Sequence, residues 1–200
     1  MKYVVFLVVL SVALGMSGCV PSLHSLYTGK DVIFDDGLLG DWAEAKADSK
    51  GTLTFSKGDE GSYKVVSSDG KDTSTLSGHL VKLADKRFLD LTADSAEDCH
   101  TLVIPVHMWF LISQTGEKLQ MRDFSDGWLG DLLKKQPAAL QHEIVDKDLV
   151  LTASTRELQS FIITHANTKA AFDEPVDYVR KKQKARLEGG SPLQVADDRR

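Results

Sequence analysis

The sequence predicts a mainly β protein, an antiparallel meander that closes into a barrel and carries two helices. Three observations carry this. From Leu39 onward, short alternating stretches recur about every ten residues between turn residues. Asp69-Gly70 is a strong hairpin signal between two such stretches. Finally, 102–112 is strongly apolar, with Leu102, Ile104, Val106, Met108, Phe110 and Ile112 on one face at period two.

In order along the chain, Thr52–Phe55 puts Leu53 and Phe55 on one face, and 58–61 is a turn. Tyr63–Val66 is a strand. Thr73–Leu83 is another, ending at Ala84-Asp85-Lys86, and Arg87–Leu91 follows it. Residues 92–100 are polar and predict a loop. The second face of 102–112 (Val103, Pro105, His107, Trp109, Leu111) is only partly polar, so this strand is covered on both sides, with a bulge or edge at Pro105. Thr115-Gly116 turns the chain into Lys118–Asp123.

Two helices interrupt the strands. Ser125 or Asp126 caps a short one near 126–135, carrying Trp128, Leu129, Leu132 and Leu133 and stopping before Pro137. Ser154-Thr155-Arg156-Glu157 is a capping box that opens an amphipathic helix near 155–166, with Leu158, Phe161, Ile162 and His165 as one stripe. Between them, Leu140–Val145 and Leu149–Leu151 read as a hairpin. The domain is therefore a single unit over 38–180. Pro21, the serines and Gly29 make 19–37 a tether, and 181–200 is a basic and then disordered tail.

The first residues are of another kind. After Lys2, Tyr3–Leu14 is almost wholly apolar, yet twelve residues span only about 18 Å as a helix, short of a bilayer core. This is the pattern of a cleaved signal peptide over 1–18. Met16-Ser17-Gly18-Cys19 resembles the lipobox of bacterial lipoproteins, with Met16 where leucine is usual. The resemblance implies cleavage between Gly18 and Cys19 and a lipid on the Cys19 thiol. Two or three acyl chains anchor a protein stably. It further implies a cell-envelope protein held to a membrane by its N-terminal lipid, its domain outside the cytoplasm. Val20 is not acidic, which favours the outer membrane over the inner. Cys99 then has no partner and reads as a structural thiol.

Leu39-Gly40-Asp41-Trp42 opens the first strand. A Gly-x-Trp there, followed by a meander, resembles the lipocalins, which implies that Trp42 closes one barrel end against a basic residue from a late strand. Trp42, Leu102, Ile104, Val106, Met108 and Phe110 are then the expected lining of an interior cavity. The whole chain also resembles small bacterial lipoproteins with an LYT-K-D…LLG-W start, a likeness that implies an address and no particular activity.

No catalytic constellation is legible. The formal net charge of −5 excludes a nucleic-acid footprint. No two histidines stand at metal-ligand spacing, so no metal or cofactor is expected. There is no G-x-S-x-G turn, and the paired carboxylates sit in turns. His79 and His107 lie on different strands, which a barrel would let meet inside, but each is expected as an isolated, satisfied histidine. The basic run Arg180–Arg186 reads as a solvated end or a contact for anionic headgroups. The expected function is non-enzymatic: a membrane-anchored envelope protein with room for a small apolar ligand or lipid. A scaffold or partner-binding module in envelope assembly, and a periplasmic hydrolase, are the alternatives.

Overall fold

A computed structural model describes residues 20–93 and 104–182. Eleven strands and two helices occur in these residues: β1 Val32–Ile33, β2 Gly40–Glu44, β3 Thr52–Lys57, β4 Tyr63–Ser68, β5 Thr73–Leu83, β6 Lys86–Ala93, β7 His107–Thr115, β8 Lys118–Asp123, α1 Asp126–Lys135, β9 His142–Val145, β10 Asp148–Leu151, α2 Thr155–His165 and β11 Val176–Arg180. Eight strands, β2 to β8 and then β11, pair antiparallel with their neighbours, and β11 returns to β2 (Arg180↔Trp42), which closes the barrel. The result is lipocalin-like, with α1, the β9–β10 hairpin and α2 inserted between the seventh and eighth barrel strands. β4 covers β5 only as far as Gly78, and β1 takes that edge at Leu80 and Val81.

Alternation sorts the strands into two cores. Trp42, Leu53, Phe55, Tyr63, Val65, Leu80, Leu89, Leu91, Phe110, Ile112, Leu119 and Met121 point inward and are buried together. Gly78 faces Tyr63 in register, and an added Cβ would come within 3.0 Å of Leu91 and 3.1 Å of Val65. Around Gly78 the interior is packed to that tolerance. Outward from β5, β6 and β7 point Val81, Leu83, Phe88 and Trp109, and α1, α2 and Leu151 of β10 cover them in a second core. Phe124 is its hub, with Trp109 at 5.3 Å, Phe172 at 5.2 Å and Trp128 at 5.5 Å between ring centroids.

The 3-10 turn Asp36–Leu38 plugs one end of the barrel. Leu38 is fully buried, and its carbonyl accepts from Trp42 Nε1 at 2.8 Å. Arg180 is the basic partner of Trp42: its guanidinium lies 4.2 Å from the ring centroid and donates to the carbonyls of Gly37 and Leu39. Gln114 donates to Gly37 O at 2.7 Å, Arg87 pairs with Asp35 at 2.7 Å, and the Tyr63 hydroxyl accepts from Asp35 N at 2.7 Å. Five barrel strands thus hold the plug.

The helices begin and end where the sequence places them. α1 spans Asp126–Lys135, and α2 carries the capping box, with the Glu157 carboxylate accepting from Ser154 N. Two expectations are corrected. Residues 20–37 are not a leash: Val20 is 6% exposed, Ser22 and Leu26 are 0%, and β1 joins the sheet. Apolar side chains at 20 and 26, rather than the intervening Pro and Ser, decide the matter. The strand expected over 102–112 begins at His107. Pro105 has no N–H for a ladder, and His107 is the first residue to pair, through its N–H to Ser22 O at 2.8 Å. Cys19, Gly18, Cys99, Leu102 and 183–200 lie outside the described residues.

Arg180→Lys keeps the charge but loses the planar fork that serves two carbonyls and the Trp42 face. We expect it to cost about 2 kcal/mol of stability in urea unfolding, on the scale of one charged hydrogen bond.

Candidate functional site

The only acidic side chain buried below a tenth among the described residues is Asp90, at 1% exposure. In β6, Leu89 and Leu91 point inward, so Asp90 points out of the barrel. Antiparallel register puts His79 of β5 directly opposite it, and His107 of β7 opposite Thr92, two residues along on the same face. Both histidines therefore sit on the outer wall and not in the interior, because His79 alternates with the inward Gly78 and Leu80.

The N-terminal segment covers this wall. Asp90 Oδ2 accepts from Leu26 N–H at 2.7 Å, and Oδ1 lies 2.7 Å from His107 Nδ1. The Tyr27 hydroxyl is 3.0 Å from His79 Nδ1, and the two rings stack at 4.4 Å. Ser22 exchanges backbone hydrogen bonds with His107, and the Leu23 and Pro21 backbones bond Leu151 of β10. From α2, Thr155 donates to Ser25 O at 2.8 Å, and Gln159 Nε2 donates to Leu26 O and Asp31 Oδ2, each at 2.9 Å. The segment is a strap held from four directions by β7, β10, α2 and Asp90.

Electrostatics follow from burial. Desolvation holds the His79 imidazole below its ordinary value, with Asp90 opposing and His107 adding to the shift. Desolvation, helped by Asp90, raises the Tyr27 phenol. The Tyr27 hydroxyl and His79 Nδ1 share one hydrogen bond, and His107 Nδ1 and Asp90 Oδ1 share another. Both Asp90 carboxylate oxygens and both Nδ1 atoms are engaged inside the fold, and the Leu26 and Tyr27 contacts among them hold the strap. Among the described residues no three His, Cys, Asp or Glu side chains are grouped to hold a metal.

The expected cavity lining is divided by the structure. Trp42, Met108 and Phe110 belong to the interior core, with Met108 half-buried towards one end. Val106 lies ahead of β7 in neither core. Ile104 is 71% exposed and lines nothing. Two concavities stand out on the described residues, and neither lies inside the barrel. The larger, about 400 Å³, is an open groove between the end of α1 and α2, lined by Leu132, Gln136, Phe161 and His165. The smaller, about 290 Å³, lies beside the plug at Leu39, Glu117 and Arg180. At the barrel end away from the plug, burial and the carboxylates of Glu44 and Asp123 push the Tyr178 phenol up to about 12.

The strap was the feature least legible in the sequence. Its signal is the outward pair His79 and Asp90, polar residues at mid-strand positions that need a cover. Acidification tests it. Because folded His79 resists protonation, the unfolded chain binds more protons below its ordinary value near 6.5. The His79 contribution is thus complete above pH 6.5 and is lost as pH falls from there towards the lower folded value. We expect urea midpoints to fall between pH 7 and 5, and His79→Gln, which keeps an acceptor but does not titrate, to flatten that slope.

No family model, no curated protein and no solved structure matches the chain.

Proposed function

We propose that this chain is a lipid-anchored protein of the bacterial cell envelope, non-enzymatic, whose packed barrel is held directly on a bilayer and serves as a docking module for a partner. One observation carries the reading. Val20, the residue that follows the lipobox cysteine, is already 6% exposed and part of the fold, and the chain then pairs with β7 and β10 within two residues. A chain that begins its mature life at Cys19 has its first residues available to fold in this way, whereas a leader left in place would have to be accommodated against them. The lipid would then join the domain with almost no spacer.

Of the two roles open to such a barrel, the packed interior supports the second. A carrier of a small apolar ligand needs a space of its size. Here large side chains are buried together in the barrel, and both concavities described above are on the outside. Among the described residues no helix is long and apolar enough to cross a membrane, so in this reading the lipid does the anchoring. Val20 continues to favour the outer membrane.

The test is expression of the full chain in a bacterium, with fractionation and mass spectrometry of the N-terminal peptide. We expect the mature chain to begin at an acylated Cys19 and to sediment with membranes, and Cys19→Ser to shift the protein to the soluble fraction. A Cys19→Ser protein that stays with membranes as before would contradict the anchoring. A lipid bound one-to-one in addition to the anchor, seen after gentle extraction by native mass spectrometry, would contradict the packed barrel as a docking module.

A further inference from the structure

The β9–β10 hairpin carries an exposed apolar pair at its turn. Ile144 is 62% exposed and Val145 54%, although both are ladder residues, paired with Leu149 and Asp148. Solvated hairpins more often carry polar residues at such positions, and the adjoining Glu143, Asp146, Lys147 and Asp148 show that polar residues fit here. Among the described residues nothing covers the pair.

The strap shows at what level along the sheet that pair lies. Ser22 pairs parallel with Leu151, and Leu151 N–H donates to Pro21 O. In a parallel pair, two steps back along one strand are two steps back along the other, so Val20 lies at the level of Leu149. The antiparallel partner of Leu149 is Ile144. The strap, read towards its N-terminus, thus runs towards the hairpin turn and ends beside it. Val20 is the residue to which Cys19 is covalently joined.

We propose that the hairpin turn is a second membrane contact: Ile144 and Val145 sit shallowly in the same bilayer that receives the Cys19 acyl chains, and so fix the barrel's orientation on it. This rests on the anchoring proposed above. The acyl chains would leave the protein beside the hairpin, which brings the apolar pair to the bilayer surface with no search. Asp146, Lys147 and Asp148 at the turn remain at headgroup level, which limits the depth. With Glu143 beside them, three acidic side chains against one lysine favour a zwitterionic surface over an anionic one.

The test uses the full-length lipidated protein in a Cys99→Ser background, with one fluorophore at Ile144→Cys or, in a separate sample, at Ser56→Cys. Ser56 is exposed on β3, which lies across the barrel from β7. The vesicles are phosphatidylcholine with bromine on the acyl chains. We expect the protein to float with the vesicles and the label at 144 to be quenched severalfold more than the label at 56. Equal quenching in protein that floats overturns the second contact and leaves the anchor standing. Protein that fails to float overturns the anchor and the contact together. Val145→Cys repeats the measurement at the neighbouring position, where the same difference is expected.

Discussion

A carboxylate with 1% exposure, pointing outward from the middle of a β-strand, is tolerable only when something covers it and pairs it. Asp90 is in that position. Burying an ionised carboxylate without partners costs several kcal/mol, more than a small domain can spare. Its two oxygens are met by Leu26 N–H and His107 Nδ1. The pairing requires residues 20–31 to lie across β5, β6 and β7, and the strap in turn supplies Leu26 and Val20 to the second core. Each fully buried leucine contributes about 2 kcal/mol. Polar need and apolar gain therefore fix the same segment in the same place.

The wall formed by β5, β6 and β7 consequently works on both faces. Leu80, Leu89 and Phe110 fill the barrel, while Val81, Phe88 and Trp109 support the helices and the strap. Closure at the plug is separate and uses different chemistry: one guanidinium satisfies two carbonyls and stacks on an indole. A barrel closed at one end by polar contacts, filled by its own side chains and covered on one wall offers its outer surfaces for recognition. In the proposed reading those surfaces are presented at a fixed distance from a bilayer.

Much of this was legible locally. The bounds of β5 and α1, the capping box of α2 and the turn after Ser68 follow from residues close in sequence, as does Trp42 at the barrel end. What could not be read depends on pairings far apart. Arg180, 138 positions after Trp42, opens a basic run that looks like a solvated end until β11 is placed beside β2. Residues 20–37 have the composition of a linker, and their order comes from partners at 90, 107, 151, 155 and 159. His79 and His107 were correctly placed on different strands, but the parity that turns them outward is set by Gly78, Leu80, Met108 and Phe110 facing in. Ile104 fits the alternation of β7 in sequence yet lies before its first ladder bond, because periodicity does not report where pairing starts.

The central claim is that the strap belongs to the fold. The most direct measurement compares urea unfolding of the chain starting at Val20 with that of a chain starting at Lys30. Loss of Leu26 and of the Asp90 partner predicts a fall of about 4 kcal/mol or more, and exposure of Trp109 to solvent in the shortened protein. An unchanged midpoint, with the same tryptophan emission, would contradict it and return residues 20–29 to the role of a leash.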